Sequence, residues 1–216
     1  MIKKIDTDFG TYYFDSISFT LSSSPEYKNT SNTLDNLDDG ILKKVVINIS
    51  NSCNLSCSYC YADGGNYGMD NRVMDFDTAD KIIQEIVSKG IKQINRLILF
   101  GGEPFLNIEL FVYLSKFLNI LKVETVTNGT VLNHRVKHML NKFHPFLTIS
   151  LDGPEVVHDR LRGKGSHRKT LRFIKYLKSI DYDNFEIAST YTRIHQKNGI
   201  SREAIFKYFT EMDVHF

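Results

Sequence analysis

From residue 41 onwards, short β-branched apolar runs alternate with stretches whose apolar residues recur at helical spacing. The apolar runs predict strands at 44–49, 96–100, 123–126, 146–150 and 185–191, and 213–216 has the character of the start of a sixth. Alternating strands and helices imply parallel βαβ units with right-handed crossovers. The predicted fold class is therefore α/β, an open or partial barrel.

Capping residues and helix breakers set the predicted bounds of the helices between these strands. Gly90 is expected to end the first helix and Pro145 the third, and the second helix is expected to run from Leu106 to Leu118. The predicted N-caps are Asp77 or Thr78 for the first helix, Asn133 for the third, Ser166 or a neighbour for the fourth, and Ser201 for the fifth.

The chain has three cysteines, and all of them lie in one C-x3-C-x2-C segment formed by Cys53, Cys57 and Cys60. Tyr59 supplies an aromatic residue immediately before the last of them. Iron–sulfur clusters are normally held by four thiolates, so three ligands leave one iron open to bind another molecule. This spacing indicates a cluster that takes part in chemistry.

Two other interpretations of the cysteines stay open. A structural zinc site needs four ligands, and a Cys3His site would have to use a distant histidine such as His134. A disulfide with a spare thiol suits a secreted chain, but the segment from Met1 to Asp6 lacks the apolar run of a signal peptide. The predicted location is therefore cytoplasmic, where such a pattern favours metal or redox chemistry.

The unusual loop motifs all follow predicted strands, and parallel α/β folds bind ligands at the carboxyl ends of their strands. The segment 101–104, Gly-Gly-Glu-Pro, follows the second strand, 127–130 follows the third and 150–154 follows the fourth. Each is ordinary turn chemistry taken alone. Their joint placement around the cysteine loop predicts a binding site.

Residue types suggest what that site would bind. Gly101 and Gly102 would let the backbone approach a ligand, and Glu103 would offer a carboxylate to a ligand amine. Asn128, Ser150 and Asp152 would supply hydrogen-bond donors and acceptors. A ligand with an amino-acid part and a nucleoside part would satisfy this set.

These motifs together resemble those of the radical S-adenosylmethionine superfamily, over roughly residues 41–216. The cysteine segment with Tyr59 and the Gly-Gly-Glu-Pro after the second strand are the most specific elements. The stretch from Ser150 to Arg162 is similar to the branch of peptide and protein maturases that often carries a SPASM or twitch extension. The resemblance implies a partial (β/α)6 TIM-like barrel, C-terminally truncated at strand six.

The resemblance also implies cofactors and the residues that hold them. Cys53, Cys57 and Cys60 would bind a [4Fe–4S] cluster, and the open iron would bind S-adenosylmethionine. The methionine amine would be received by the motif formed by Gly101, Gly102, Glu103 and Pro104. Tyr59 would lie near the adenine, and the ribose or the methionine carboxylate would be contacted by Ser150, Asn128, Asp152 and Arg162.

The activity implied by the resemblance is reductive cleavage of S-adenosylmethionine to a 5′-deoxyadenosyl radical, which abstracts hydrogen from a peptide or protein substrate. A low-potential donor such as flavodoxin or ferredoxin would supply the electron. The alternatives are a non-catalytic binding module stabilised by zinc or by a cluster, and an inactive truncated fragment of a maturase.

The predicted domains are an N-terminal hairpin and loop segment, 1–40, and a core domain, 41–216, that is incomplete at strand six. The N-terminal segment would cover a sheet edge or dock a leader peptide. No cysteine beyond Cys60 could bind an auxiliary cluster, so the C-terminal extension is expected to be absent. A short gene product, a split piece and a fragment stay open, and we expect self-association or a missing C-terminal piece to close the barrel.

Charge and hydropathy indicate no membrane partner, because the net charge is only +2 and no apolar run reaches about 18 residues. A local basic stretch, 160–169, contains five lysine or arginine residues and no acid. It lacks the aromatic residues that stack on bases, so a solvated loop is favoured and nucleic acid is not expected as a partner.

Overall fold

In a computed structural model, residues 39–216 are described in full, together with the backbone of three strands among the first 38 residues. The chain divides into two compact units, Met1–Asp38 and Asp39–Phe216. In the first unit, the strands β1 (Ile2–Thr7), β2 (Gly10–Asp15) and β3 (Thr20–Ser22) form an antiparallel sheet in the order β1-β2-β3. The predicted hairpin is part of this meander, and the loops predicted for 23–32 lie outside the described residues.

The second unit contains a parallel sheet of six strands. The strands are β4 (Ile41–Leu42), β5 (Val45–Ser50), β6 (Gln93–Gly101), β7 (Asn119–Thr127), β8 (Phe146–Ser150) and β9 (Phe185–Ala188). Both β4 and β5 pair with β6, and the sheet continues through β7 and β8 to β9 with every pair parallel. This is the partial barrel that the alternating pattern predicts.

Helices connect the strands and cover the sheet. They are α1 (Phe76–Ser88), α2 (Ile108–Leu114), α3 (His134–Phe143), α4 (Glu155–Arg162), α5 (Ser166–Ser179), α6 (Arg193–Lys197) and α7 (Arg202–Glu211). Two short 3-10 helices, Asp63–Gly65 and Pro104–Asn107, precede α1 and α2. All the connections return the chain to the same edge of the sheet, so the loops that follow the strands gather there.

Two helix starts follow the sequence prediction. The side chain of Asn133 accepts from the backbone N–H of Val136 (3.0 Å), and that of Ser201 accepts from Ala204 (3.2 Å). Both are N-caps that satisfy an otherwise unpaired backbone donor. Strand β8 has the predicted bounds, and α3 ends at the residue before the left-handed His144 (φ 46°), which Pro145 follows.

Two predicted boundaries are wrong, each for a local reason. The N-cap of α1 is Asp75, which accepts from Thr78 N (2.8 Å), rather than Asp77 or Thr78. Helix α2 stops at Leu114 rather than Leu118, which adopts a left-handed conformation (φ 56°) that interrupts a helix. The cap of α5 is Gly165, a neighbour of Ser166, as the sequence predicts.

The far edge of the sheet also differs from the prediction. Strand β9 ends at Ala188 rather than 191, and Thr192 then caps α6. The backbone N–H of Ile187 donates to the carbonyl oxygen of His215 (2.7 Å). The last residues therefore lie beside β9, where the sixth strand was predicted.

The core forms between the sheet and the covering helices. Phe105, Phe111 and Phe173 are almost completely buried, and the ring centroid of Phe105 lies 5.7 Å from that of Phe111 and 6.2 Å from that of Phe173. Each such side chain contributes about 1.5–3 kcal/mol through burial. This packing fixes the strands, and hence the positions of the loops at their carboxyl ends.

Candidate cofactor site

The cysteine loop follows β5 and is held at both ends by backbone hydrogen bonds. Ser50 and Ser52 accept through their carbonyl oxygens from the N–H groups of Gly102 (2.8 Å) and Glu103 (2.9 Å). At the other end, Ser58 N donates to the carbonyl oxygen of Leu161 in α4 (2.8 Å). The loops that follow β6 and β8 therefore position the three thiols.

The thiols open into one cleft of about 420 Å³ at the carboxyl edge of the sheet. The predicted site residues that line it are Cys53, Cys57, Tyr59, Cys60, Gly101, Gly102, Asn128, Ser150 and Arg162. Three other predicted site residues, Glu103, Pro104 and Asp152, are buried outside the lining of this cleft. The cleft thus unites residues from four loops that are far apart in sequence.

All three cysteines are free and partly buried. Burial raises the pKa of the Cys53 thiol, although a backbone hydrogen bond and the Asn128 amide, whose Nδ2 lies 3.8 Å from Sγ, lower it. Burial also raises the pKa of Cys57, and the Arg162 guanidinium opposes that shift. Among the described residues, no three His, Cys, Asp or Glu side chains are grouped as ligands of a single metal ion would be.

Gly101 and Gly102 are required by the close packing of two loops. A Cβ on Gly101 would lie 2.3 Å from Ser50 O, and one on Gly102 would lie 2.6 Å from Ser52 O. Gly65 also packs closely on Gly102, with 2.5 Å between its ideal Cβ position and the Gly102 Cα atom. The glycines therefore bring the cysteine loop close to β6, and their contact with a ligand stays a prediction.

Glu103 ties the loop after β6 to the loop after β7. Its carboxylate is fully buried and accepts from Phe105 N (3.1 Å), Thr127 Oγ1 (2.8 Å) and Asn128 N (2.8 Å). Burial raises the pKa of Glu103 to about 7, against the lowering effect of these hydrogen bonds. The carboxylate thus holds the loops together, and its predicted contact with a ligand amine is untested.

The raised pKa of Glu103 predicts a pH effect on the stability of the apo chain. The folded pKa is above the unfolded value of about 4.3, so the folded state binds more protons and the stability contributed by Glu103 falls as pH rises from about 4.3 to 7. We expect Glu103→Gln to remove a decline of up to about 3 kcal/mol. Urea unfolding of both chains at pH 5 and pH 7.5 measures it.

Glu124→Gln is the matched control for this experiment. A hydrogen bond from Arg96 lowers the pKa of Glu124, so its contribution is lost only below the pH range used. The Glu124 variant should keep the wild-type change in stability between pH 5 and pH 7.5. The prediction would be contradicted if the Glu103 variant showed the same change in unfolding free energy between pH 5 and pH 7.5 as the wild type.

Asp152 is fully buried and joins the cysteine loop to the loops after β8 and β9. Its carboxylate accepts from the Tyr59 hydroxyl (2.6 Å), from Arg162 Nε (2.8 Å) and Nη2 (3.2 Å), and from Thr190 N (3.0 Å). Burial, with the nearby Asp152 charge, raises the pKa of Tyr59 and keeps its hydroxyl a donor. Asp152 therefore fixes three residues that line the cleft.

The backbone of Asp152 is held by two buried histidines. Its N–H donates to His158 Nδ1 (3.1 Å), and its carbonyl oxygen pairs with His195 Nε2 (2.7 Å). Burial lowers the pKa of His158 to about 4, so the ring is neutral and its Nδ1 can accept. The sequence patterns did not single out either histidine, since neither lies in a recognisable ligand spacing.

Arg162 presents positive charge to the cleft. Its Nε and Nη2 bind Asp152, and its Cζ atom lies 5.4 Å from the centroid of the Tyr59 ring. An arginine has five N–H donors, so donors remain for an anionic group of a ligand. The short helix α4 that carries Arg162 was not predicted as a helix.

Asn128 organises the loop after β7 beside Cys53. Its Nδ2 donates to Asn54 Oδ1 (2.9 Å), its Oδ1 accepts from Thr130 N (2.9 Å), and its carbonyl oxygen accepts from Thr170 Oγ1 (2.9 Å). Thr130 lies in the predicted segment 127–130, although no role was predicted for it. Sequence reasoning missed Asn54 and Thr170, because single polar residues in loops and helices carry no distinguishing pattern.

A parallel α/β sheet with three free thiols and a cationic residue in the cleft at its carboxyl edge defines a protein built to hold an iron–sulfur cofactor beside a polar ligand. Comparison with known protein families identifies the family within this class. The profile of the Radical SAM superfamily matches residues 47–209, and the chain belongs to that family. Among the described residues, every helix is too short or too polar to span a bilayer.

Proteins similar to this chain include an uncharacterized protein and sulfatase-maturating enzymes. The chain is 31% identical over 183 residues to an uncharacterized protein of Methanocaldococcus jannaschii, covering 80% of this chain and 60% of that protein. It is 27% identical over 189 residues to a cysteine-type anaerobic sulfatase-maturating enzyme of Clostridium novyi, covering 77% and 47%. A solved structure of native anSMEcpe with bound AdoMet superposes with a TM-score of 0.66 at 24% identity, covering 81% and 50%.

The profile match confirms the predicted family, and the solved structure confirms the fold. The relatives include a sulfatase-maturating enzyme, as the resemblance to the maturase branch predicts. The cofactors are those of the family, a [4Fe–4S] cluster and S-adenosylmethionine. The chain spans about half to three fifths of the length of these relatives.

Proposed function

We propose that this chain is the core of a radical S-adenosylmethionine enzyme that modifies a peptide or protein. The observation that carries the proposal is the convergence of Cys53, Cys57 and Cys60 with Arg162 and Asn128 in one cleft. When bound there, a reduced [4Fe–4S] cluster would cleave S-adenosylmethionine and supply a 5′-deoxyadenosyl radical that removes hydrogen from the substrate.

The donor set fits a cluster. Its three free thiols are held on one loop, and no histidine lines the cleft beside them. A zinc site needs all its ligands within about 2.3 Å of one ion, whereas thiolates of a cluster bind separate irons. A structural zinc site needs a fourth ligand, and the described residues that line the cleft include three cysteines and no histidine, which favours the cluster.

The polar residues of the cleft would orient S-adenosylmethionine. The free donors of Arg162 suit the methionine carboxylate, and Ser150 and Asn128 offer groups to the ribose or the amino acid. Tyr59, with its hydroxyl held by Asp152, would present its ring to the adenine. Glu103 and Asp152 would act through the loops that they fix, because protein donors already engage their buried carboxylates.

The similarity to a sulfatase-maturating enzyme supports a peptide or protein substrate. The electron would come from a separate low-potential donor, because a cluster that has given one electron to S-adenosylmethionine must be reduced again by another molecule.

The test is anaerobic reconstitution with iron and sulfide, followed by dithionite and S-adenosylmethionine. We expect about three to four irons per chain, visible absorption from the cluster and release of 5′-deoxyadenosine. Cysteine- and serine-containing peptides added to the mixture would then be examined for mass loss and for hydrogen transfer into 5′-deoxyadenosine. One colourless zinc per chain and no 5′-deoxyadenosine would overturn the proposal.

A further inference from the structure

Helices α3 and α5 form a basic face on the outside of the sheet. They carry lysine and arginine, three in α3 and five in α5, and no aspartate or glutamate. The residues are Arg135, Lys137, Lys142, Arg168, Lys169, Arg172, Lys175 and Lys178. Because the whole chain has a net charge of only +2, this concentration is a local feature.

A groove of about 390 Å³ runs between the two helices. It is lined by Leu132, Lys137, Arg172, Lys175, Tyr176 and Ser179. Lys137 Nζ lies 4.6 Å from the centroid of the Tyr176 ring. No described carboxylate lies within ion-pair distance of the three cations that line the groove, so their charge is available to a partner.

Hydrogen bonds connect this face to the cysteine loop. Cys53 Sγ lies 3.8 Å from Asn128 Nδ2, and the carbonyl oxygen of Asn128 accepts from Thr170 Oγ1 in α5 (2.9 Å). Thr170 stands between the exposed Lys169 and Arg172 along that helix. Two buried residues, Asn128 in the loop after β7 and Thr170 in α5, therefore connect the thiol to the helix that carries part of the basic face.

The groove and the cofactor cleft share no lining residue. A partner bound on α3 and α5 would leave the cleft open to its ligand and substrate. Nucleic acid fits the groove less well, because the face of its aromatic ring is already covered by Lys137.

We propose that the α3–α5 face is the docking surface for an acidic one-electron donor protein. The proposal rests on the proposed function, which needs one electron per turnover: the donor is oxidised by one electron, and the cluster held by Cys53, Cys57 and Cys60 is reduced by one. Complexes of this kind are small and transient, and complementary charge raises their association rates by about 10- to 1,000-fold.

Charge reversal tests the surface. The variant carries Lys137→Glu, Arg172→Glu and Lys175→Glu, and the control carries Lys43→Glu, Lys44→Glu and Lys81→Glu, three exposed lysines outside α3 and α5. A bacterial flavodoxin hydroquinone is the probe, with binding measured by calorimetry and cluster reduction by stopped-flow absorbance at two salt concentrations. Circular dichroism checks that each chain is folded.

At low salt, we expect the groove variant to have at least about tenfold lower affinity for flavodoxin and at least about tenfold slower cluster reduction by it. The control should keep the wild-type affinity and rate. Raising the salt concentration should reduce the differences in flavodoxin binding and reduction rate among wild type, groove variant and control, because salt screens the charges. Dithionite should support equal 5′-deoxyadenosine formation in all three.

Equal flavodoxin binding by the groove variant and wild type would overturn the docking surface. The docking surface would also be overturned if the groove variant lost binding to a single-stranded oligonucleotide while its flavodoxin binding stayed unchanged. Failure of dithionite to produce 5′-deoxyadenosine in the wild type would instead reject the proposed function, and flavodoxin affinity would still report on the surface.

Discussion

Alanine at any one of Cys53, Cys57 or Cys60 is expected to abolish stable cluster binding. Three thiolates already leave one iron without a protein ligand, so removing another leaves the cluster on two anchors. The chain has no further cysteine that could take over the position. Iron and sulfide content and visible absorption after anaerobic reconstitution would fall to the level of an unreconstituted chain.

Ser56→Ala is the matched control, because Ser56 is an exposed residue of the same loop between two of the cysteines. It should retain the wild-type iron and sulfide content. Full content in any of the three cysteine variants would show that the cluster is held elsewhere or that the site is not a cluster site.

Replacing Asp152 with alanine is expected to cost about 3–5 kcal/mol of unfolding free energy, since it leaves Arg162 as a buried cation without its partner. The Tyr59 hydroxyl and the backbone N–H of Thr190 would lose their acceptor as well. Affinity for S-adenosylmethionine should fall too, because three residues that line the cleft would lose a bond that fixes their positions. Urea unfolding and anaerobic calorimetry measure the two effects.

A double variant separates lost pairing from lost packing. Arg162→Met in the Asp152→Ala background should be more stable than Asp152→Ala alone, because the unpaired buried charge is gone. Asp183→Ala, a change at an exposed carboxylate before β9, should alter stability by less than about 0.5 kcal/mol. An Asp152→Ala chain as stable as the Asp183 control would refute the role assigned to the ion pair.

Sequence predicts the parts of this fold that are decided locally. The N-caps Asn133 and Ser201 each bond to a donor three residues further along their own helix, so residue type and position suffice. Strand β8 is bounded by Pro145 and by the turn after Ser150, and both signals are visible in the chain. The cysteine spacing likewise lies within eight residues.

Other features depend on contacts between distant segments. Helix α4 was missed because its sequence, Glu155–Arg162, is mostly polar and has few apolar residues at helical spacing; its buried side includes His158 and Arg162. Glu103 and Asp152 were assigned to a ligand from their place in loops. Sequence gives no direction for a side chain, and both carboxylates turn inward to protein donors.

The bond between Tyr59 and Asp152 joins residues 93 positions apart, and this sets an order of events during synthesis. A ribosome-bound chain that has emerged only through β7 exposes its three cysteines but lacks Asp152, Arg162 and the strand that follows. The thiols can acquire their final surroundings only when the second half of the sheet has folded. The cofactor site can therefore form only after the chain has been made through Thr190, whose backbone N–H donates to Asp152.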